Sequence, residues 1–172
     1  MALAVDLANR KPATVEELVR RCTEAGLVIT QPVRAEDLVR TIAMLRDWER
    51  IVDTVEERAR ADLVNRRLAA VAAYPRLSDH AGDGWHLHYR DDDASFITML
   101  KAVIFVGTAL HLAGRGMHRL GRCGLTGCDA VYADTSRGGT QRYCSPRCAN
   151  RDAVRRHRAR ARPAPDASVR GG

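Results

Sequence analysis

Cys123, Cys128, Cys144 and Cys148 are four of the five cysteines in a chain of 172 residues, and they fall as C-x4-C, then fifteen residues, then C-x3-C. Each close pair can set two thiolates on one side of a tight turn. Two such pairs complete the tetrahedral sulfur set that a structural zinc ion prefers. These four residues are therefore expected to hold one Zn2+ per chain. With every position taken by sulfur, none is left for water or substrate, so the metal is expected to act as scaffolding and the chain not to be an enzyme.

The second chemistry is that of guanidinium groups. After Cys148 the chain reads Ala149-Asn-Arg-Asp-Ala-Val-Arg-Arg-His-Arg-Ala-Arg-Ala-Arg162. Helical spacing puts Arg151, Arg155, Arg158 and Arg162 on one face, with Arg156 and Arg160 beside them and Arg137, Arg142 and Arg147 nearby. Such a cluster repels itself unless an anion is present, which makes nucleic-acid phosphate the natural partner; a merely solvated basic face is the bland alternative. The charge split agrees. Residues 1–114 carry 15 Lys+Arg against 17 Asp+Glu, and residues 115–172 carry 13 against 4. Arginine supplies 26 of the 28 cations, which genomic composition could also produce. Asn150 has the amide to read adenine in a groove or, alternatively, to bond the module's own backbone. Arg151 and Asp134 are candidates for an ion pair between helix and hairpin.

Short elements must position these groups. Ala130-Val-Tyr-Ala133 and Thr140-Gln-Arg-Tyr143 have strand character, joined across Ser136-Arg-Gly-Gly139, a turn-forming run. Ser145-Pro146 supplies a capping hydroxyl and a first-turn proline, so Cys144 should stand at the mouth of a helix and Cys148 one turn inside it. A cysteine knuckle, a hairpin and a helix bearing the last ligands describe a treble-clef-like zinc finger. So small a unit has little apolar core, and structural zinc, worth roughly 10–16 kcal/mol in apparent terms, would drive its folding.

Upstream, the patterning is helical. Thr14-Val-Glu-Glu17 has capping-box spacing, followed by an apolar face of Val15, Leu18, Val19, Cys22 and Ala25 and a stop at Gly26. A longer helix begins near Ala35 and either runs on or bends near Arg60 before Pro75. Arg76 to Arg90 reads as two short strands about Gly82-Asp-Gly84, and a helix from about Asp93 to Gly114 follows, with Phe96, Leu100, Val103, Ala109 and Leu110 facing inward. Gly114-Arg-Gly116 marks a break. The expected fold is mainly α with a small β-hairpin: a helical unit at 1–116 for ligand sensing or dimerisation, the finger at 117–162 and a flexible tail at 163–172.

The residues reach a known family at Cys123-x4-Cys128, Tyr132-x-Asp134-Thr-Ser-Arg137, Arg142-Tyr-Cys144-Ser and Cys148-Ala-Asn-Arg151 followed by Arg-His-Arg. This run resembles the CGNR zinc finger, named for its Cys-Gly-Asn-Arg signature. Leu3-Ala-Val-Asp-Leu-Ala-Asn9, the helices and a hairpin centred on Trp85 resemble the ABATE-type domain that accompanies that finger in stress-induced bacterial transcription regulators. Ala149 stands where the signature has glycine and Tyr143 where tryptophan is common; neither change removes a ligand. The resemblance implies a DNA-binding regulator, with RNA binding or protein interaction as the alternative role for the finger. A homodimer through the N-terminal unit and a small-molecule effector would complete such a regulator.

Other residues are read as structural. Cys22 lies on an apolar face and is expected in the core, with a redox-sensing thiol as the alternative; His86 and His88 share one face of a strand, which could serve a metal but is expected to be inert; Asp91-Asp-Asp93 could bind a cation but is expected to cap the next helix. A nuclease reading with His157 as base lacks the extra ligands of a catalytic metal. The longest apolar stretch, Phe96 to Leu112, is broken by Lys101 and His111, so no membrane span is expected. No secretory signal is visible in the first residues, and a reducing, cytoplasmic setting is expected.

Overall fold

The computed structural model describes residues 1–79, 84–91 and 93–161. Arg162 and the expected tail lie outside the described residues, as do Gly82, Asp83 and Asp92. The order of elements is α1 (Ala2–Asn9), α2 (Val15–Glu24), α3 (Ala35–Asp53), α4 (Glu57–Val71), β1 (Arg76–Ser78), β2 (His86–His88), α5 (Phe96–Arg115), a 3-10 turn (Met117–Arg119), β3 (Leu120–Arg122), β4 (Val131–Ala133) and α6 (Pro146–Ala161). The fold is mainly helical, with two antiparallel two-stranded hairpins, β1–β2 and β3–β4.

Capping chemistry explains most helix starts. Thr14 Oγ1 accepts the Glu17 amide at 3.2 Å, and the Glu17 carboxylate reaches back to the Ala13 amide at 2.9 Å. Leu27 N–H closes the other end of α2 on the Cys22 carbonyl at 3.0 Å, immediately after Gly26. Of the two courses open to the helix from Ala35, an unbroken run and a bend near Arg60, the interruption is the one found, a few residues earlier, and it divides two helices. Thr54 to Glu56 breaks the run, because the Glu56 carboxylate caps the Arg58 and Ala59 amides and starts α4 afresh. Arg60, buried, turns its guanidinium onto the carbonyls of Val52 (3.0 Å), Thr54 (2.6 Å) and Met117, so the end of α3 supplies the partial negative charge that offsets its burial.

α5 is the centre of the core, packed by α3 and α4. Its inner face includes Phe96, Leu100, Ile104, Phe105 and Leu112, while Val103 and Leu110, expected inside, are exposed. Three and four-residue spacing from Phe96 alone does not fix which side of so uniformly apolar a helix turns inward. Its start also differs from expectation: Ser95, not the aspartate run, caps it through the Thr98 amide. α5 is the one described helix long and apolar enough to cross a membrane, and 61% of that stretch is buried inside the protein. Trp48 fills the centre and donates to Thr108 Oγ1 at 2.9 Å. Cys22 is buried, and burial pushes its thiol up to about 11, which leaves it un-ionised and inert, as a core cysteine should be.

α1 lies between α3 and β4. Leu3, Ala4, Leu7 and Ala8 are buried, and Asp6 receives a two-pronged bond from the buried Arg21 (2.9 and 2.7 Å), tying α1 to α2. Leu120 of β3 and Val131 of β4 belong to the same apolar core as the helices. The first hairpin of the C-terminal module is therefore built into the helical unit.

Candidate metal centre and basic helix

The hairpin that carries the cysteines pairs β3 with β4, in the register Leu120↔Ala133, Gly121↔Tyr132, Arg122↔Val131. The expected strand over Val131–Ala133 forms; its expected partner over Thr140–Tyr143 does not. Gln141 instead gives its amide to Asp134 Oδ2 at 3.1 Å, and the Arg142 carbonyl receives the Gly124 amide at 2.7 Å. That segment thus clamps the knuckle rather than extending the sheet.

Each cysteine is placed by backbone bonds made around it. The Cys123 amide bonds the Ala130 carbonyl at 2.8 Å, and the Cys128 amide bonds the Leu125 carbonyl at 3.0 Å, closing the knuckle. Gly127 has φ +80°, a left-handed turn that a side chain would strain, so the C-x4-C loop needs glycine there. Ser145 caps α6 as expected: its Oγ accepts the Cys148 amide at 3.3 Å. Ala149 sits in this helix with an ordinary negative φ, so the loss of the signature glycine introduces no strain.

The four sulfur atoms lie within 4.8 Å of one another. Three separations are 3.8 Å (Cys128–Cys144), 3.6 Å (Cys144–Cys148) and 3.9 Å (Cys148–Cys128). A tetrahedral ion with sulfur bonds of about 2.3 Å would separate its ligands by about 3.8 Å, so the donor set fits zinc in type, number and spacing. Burial, together with the Cys148 sulfur, pushes the Cys144 thiol up to about 12, while bonds from Ser145 and Cys144 hold Cys148 below its ordinary value. Four crowded sulfurs cannot all carry charge unless a cation shares the space. Little else holds this tip: Leu125 and the cysteines form its own small apolar cluster, with Tyr143 against it.

Asp134 is the polar keystone of the module. It is 1% exposed and accepts from the Ser136 amide (2.8 Å), the Ser136 hydroxyl (2.6 Å) and the Gln141 amide, with Arg119 at 3.4 Å. The expected Arg151–Asp134 pair is replaced by Arg119–Asp134. The Arg119 guanidinium lies over Gly139, where φ is +66° and a Cβ would overlap it. Burial alone would raise the Asp134 pKa, but these bonds outweigh it and hold the carboxyl below its ordinary range. Asp134→Asn is expected to cost about 3 kcal/mol at neutral pH. Because the folded pKa is depressed, that difference is complete above pH 4 and shrinks as pH falls through the folded value. Paired urea titrations at pH 7 and pH 3.5 check it.

α6 projects from the cysteines. Arg147, Asn150, Arg151, Arg155, Arg156, Arg158 and Arg160 are exposed, as are Arg137 and Arg142. They are not equivalent. Asp152, buried, takes the Tyr143 hydroxyl at 2.7 Å and pairs with Arg155 (2.9 Å) and Arg156 (3.0 Å), while Arg155 also reaches Thr126 at 2.7 Å. Among the described residues Arg147, Arg151, Arg158 and Arg160 make no ion pair. At 3.6 residues per turn, Arg147, Arg151 and Arg158 fall within about 40° of one another along about 16 Å of helix. Arg156 and Arg160 lie round the helix from them, not beside them as the spacing first suggested.

Three anchoring contacts escaped sequence reading. The Asn9 side chain pairs with the Val131 backbone in both directions, at 2.9 and 2.7 Å. Arg122 forms a two-pronged pair with Asp53 (2.7 and 3.0 Å), and His111 Nε2 lies 3.1 Å from the Arg119 carbonyl. Together they fix the base of the module to α1, α3 and α5. Elsewhere, His86 and His88 stand with Nε2 atoms 3.1 Å apart on β2, away from any cysteine in the chain order.

The CGNR zinc finger model matches residues 119–161, and the ABATE model, whose description is "putative stress-induced transcription regulator", matches residues 2–121. The two overlap on β3, the strand that belongs both to the helical core and to the cysteine module. No curated protein matches the chain.

Proposed function

From the premise that the chain belongs to the ABATE family and closes in a CGNR zinc finger, we propose that it is a zinc-dependent DNA-binding transcription regulator. One zinc ion per chain, held by Cys123, Cys128, Cys144 and Cys148, orders a treble-clef-like tip. The helix that supplies Cys148 then carries the phosphate contacts. The observation that carries this reading is the row Arg147, Arg151 and Arg158, exposed and without an acidic partner among the described residues, on a helix whose root carries the sulfur cluster. A row of that kind repels itself, and the phosphates of a polyanion relieve that repulsion while gaining from counterion release. Four sulfur ligands leave no open coordination position, which supports a binding role over catalysis.

Fluorescence anisotropy with labelled duplex DNA, competed by structured RNA, tests the partner. Duplex binding that steepens as salt is lowered, with RNA the weaker competitor, is the expected result. RNA displacing the duplex at lower concentration would move the function to RNA.

The helical unit is proposed to dimerise. Leu87, Val103 and Leu110 are exposed along one groove bordered by β2 and α5, with the exposed Leu77 paired to Leu87 across the hairpin, and Leu110 is 59% exposed. Exposed leucines and a valine grouped in this way suit a contact between two copies, and two fingers on a two-fold dimer would suit paired half-sites on a duplex. Sedimentation equilibrium is expected to give a dimer for the wild type and a monomer for Leu110→Glu. A wild type that stays monomeric at tens of micromolar removes this part of the reading.

A further inference from the structure

Along α3, α4 and α5 runs an open groove of about 750 Å³, remote in sequence from the cysteines, and within the size range of small-molecule sites. Its walls are unusually charged for the unit that contains it. Arg40, Arg46, Arg50, Arg67 and Lys101 line it, against one carboxylate among its described lining, Asp47. Asp47 is already committed: Arg67 grips both its oxygens, one at 2.6 Å, and Arg50 stands 3.9 Å away. This happens in the part of the chain where acidic residues outnumber basic ones, 17 to 15. The surplus of cations is therefore local.

Lys101 is the most informative of them. It stands half-buried in the most apolar helix of the protein, one turn from Ile97 and one turn from Phe105, both buried. Among the described residues it makes neither an ion pair nor a hydrogen bond. Its stem lies along the apolar helix while its ammonium reaches solvent, which leaves that charge available to an anion. The apolar lining open to a ligand beside it is Ala43, Ala70 and Val71, over the buried Met44 and Phe105. A cationic rim over a hydrocarbon floor suits a ligand with one anionic group and an apolar body.

We propose that this groove is a binding site for an amphiphilic organic carboxylate, whose anionic head meets Lys101 and the arginines while its apolar body lies on Ala43, Ala70 and Val71. The placement gives binding a consequence. The groove takes the Arg40–Arg50 stretch of α3 and the Arg67–Val71 stretch of α4, whereas the joined ends of the same two helices, at Asp53 and Arg60, hold the module through Arg122 and Met117. A ligand that changes how α3 meets α4 acts on the elements that seat the zinc-binding tip. The inference goes beyond the DNA-binding reading, and its readout involves no DNA.

Isothermal calorimetry on the full zinc-loaded chain tests it with three probes: 2-naphthoate, which has charge and body; inorganic phosphate, which has charge alone; and 2-naphthol, which has body alone. Naphthoate is expected to bind one per chain at submillimolar concentration, at least tenfold more tightly than either other probe. Lys101→Met keeps the length and removes the charge, and is expected to weaken naphthoate tenfold or more, as is Arg50→Gln. Arg20→Gln on α2, an exposed partner of Glu24 away from the groove, is expected to leave it unchanged. No naphthoate binding overturns the proposal, as do equal affinity for phosphate, equal affinity for naphthol, or indifference to Lys101→Met in a variant whose circular dichroism and melting match the wild type.

Discussion

Replacing Cys148 by serine, or removing the metal with a chelator, is expected to abolish nucleic-acid binding and to melt the tip while the helical core stands. The tip has for its own apolar cluster Leu125, the cysteines and part of Tyr143, far too little area to offset the entropy of ordering some forty residues. The metal contributes roughly 10–16 kcal/mol in apparent terms at neutral pH, more than a typical domain's whole stability margin. The helical core is independent of it, since Trp48, Phe105, Leu7 and Leu100 bury one another without any sulfur ligand. The line between the two falls inside the hairpin. β3 and β4 should stay protected, because Leu120 and Val131 are core residues and Asn9 holds the Val131 backbone. Amide exchange on the chelated protein should therefore lose protection at 124–130 and 134–161 but keep it at 120–122 and 131–133. Metal analysis of the reduced Cys148→Ser protein should find less than stoichiometric zinc. Continued protection of α6 after complete chelation would mean that the tip folds by some other means, and the regulator reading would lose its foundation.

What was legible in the sequence follows from the range over which each feature is specified. The sulfur cluster is a local demand: two short cysteine spacings and a Ser-Pro helix start lie within 26 residues, and all of it is found in the fold. The caps at Thr14 and Ser145 were equally readable, while those at Glu56 and Ser95 were not. α1 was not read as a helix from pattern, because its 8 residues have no side-chain cap and too short a run to show a period. The hairpin partner was misread for a physical reason: Thr140–Tyr143 has strand-forming residues, but the buried Asp134 carboxylate takes the Gln141 amide, whereas the unassuming Leu-Gly-Arg of β3 gets its place from the core contact of Leu120. Asn9 and Val131 are 122 positions apart, and Arg122 and Asp53 are 69 apart. No window of sequence contains either pair, so the seating of the module could not be read in advance. Asp152 is the opposite case: Arg155 and Arg156 lie three and four residues on, within reach of local reading, and only its bond to Tyr143 and the Arg155 bond to Thr126 belong to the fold.

That difference among the arginines yields the second large effect. Arg147→Ala, Arg151→Ala and Arg158→Ala combined should weaken duplex binding by roughly 100-fold or more at moderate salt and lower the slope of log K against log salt by nearly 3, since each lost phosphate contact removes about 0.9. Arg155→Ala with Arg156→Ala removes nearly as much formal charge but should act differently. Those guanidiniums already share the Asp152 carboxylate, and Arg155 also holds Thr126 of the knuckle. Their loss leaves Asp152 with Tyr143 alone, so the tip should lose thermal stability while the salt slope changes by less than in the triple variant. If affinity follows net charge alone, the two variants will differ only in proportion to the charges removed, and the row on α6 has no special standing. Anisotropy titrations of both variants at several salt concentrations, with zinc content measured on the same samples, separate the two cases. Should the Arg155, Arg156 variant show the larger fall in slope with full zinc occupancy, the phosphate-facing side of α6 is the one that carries Asp152, and the helix meets the duplex from the opposite face.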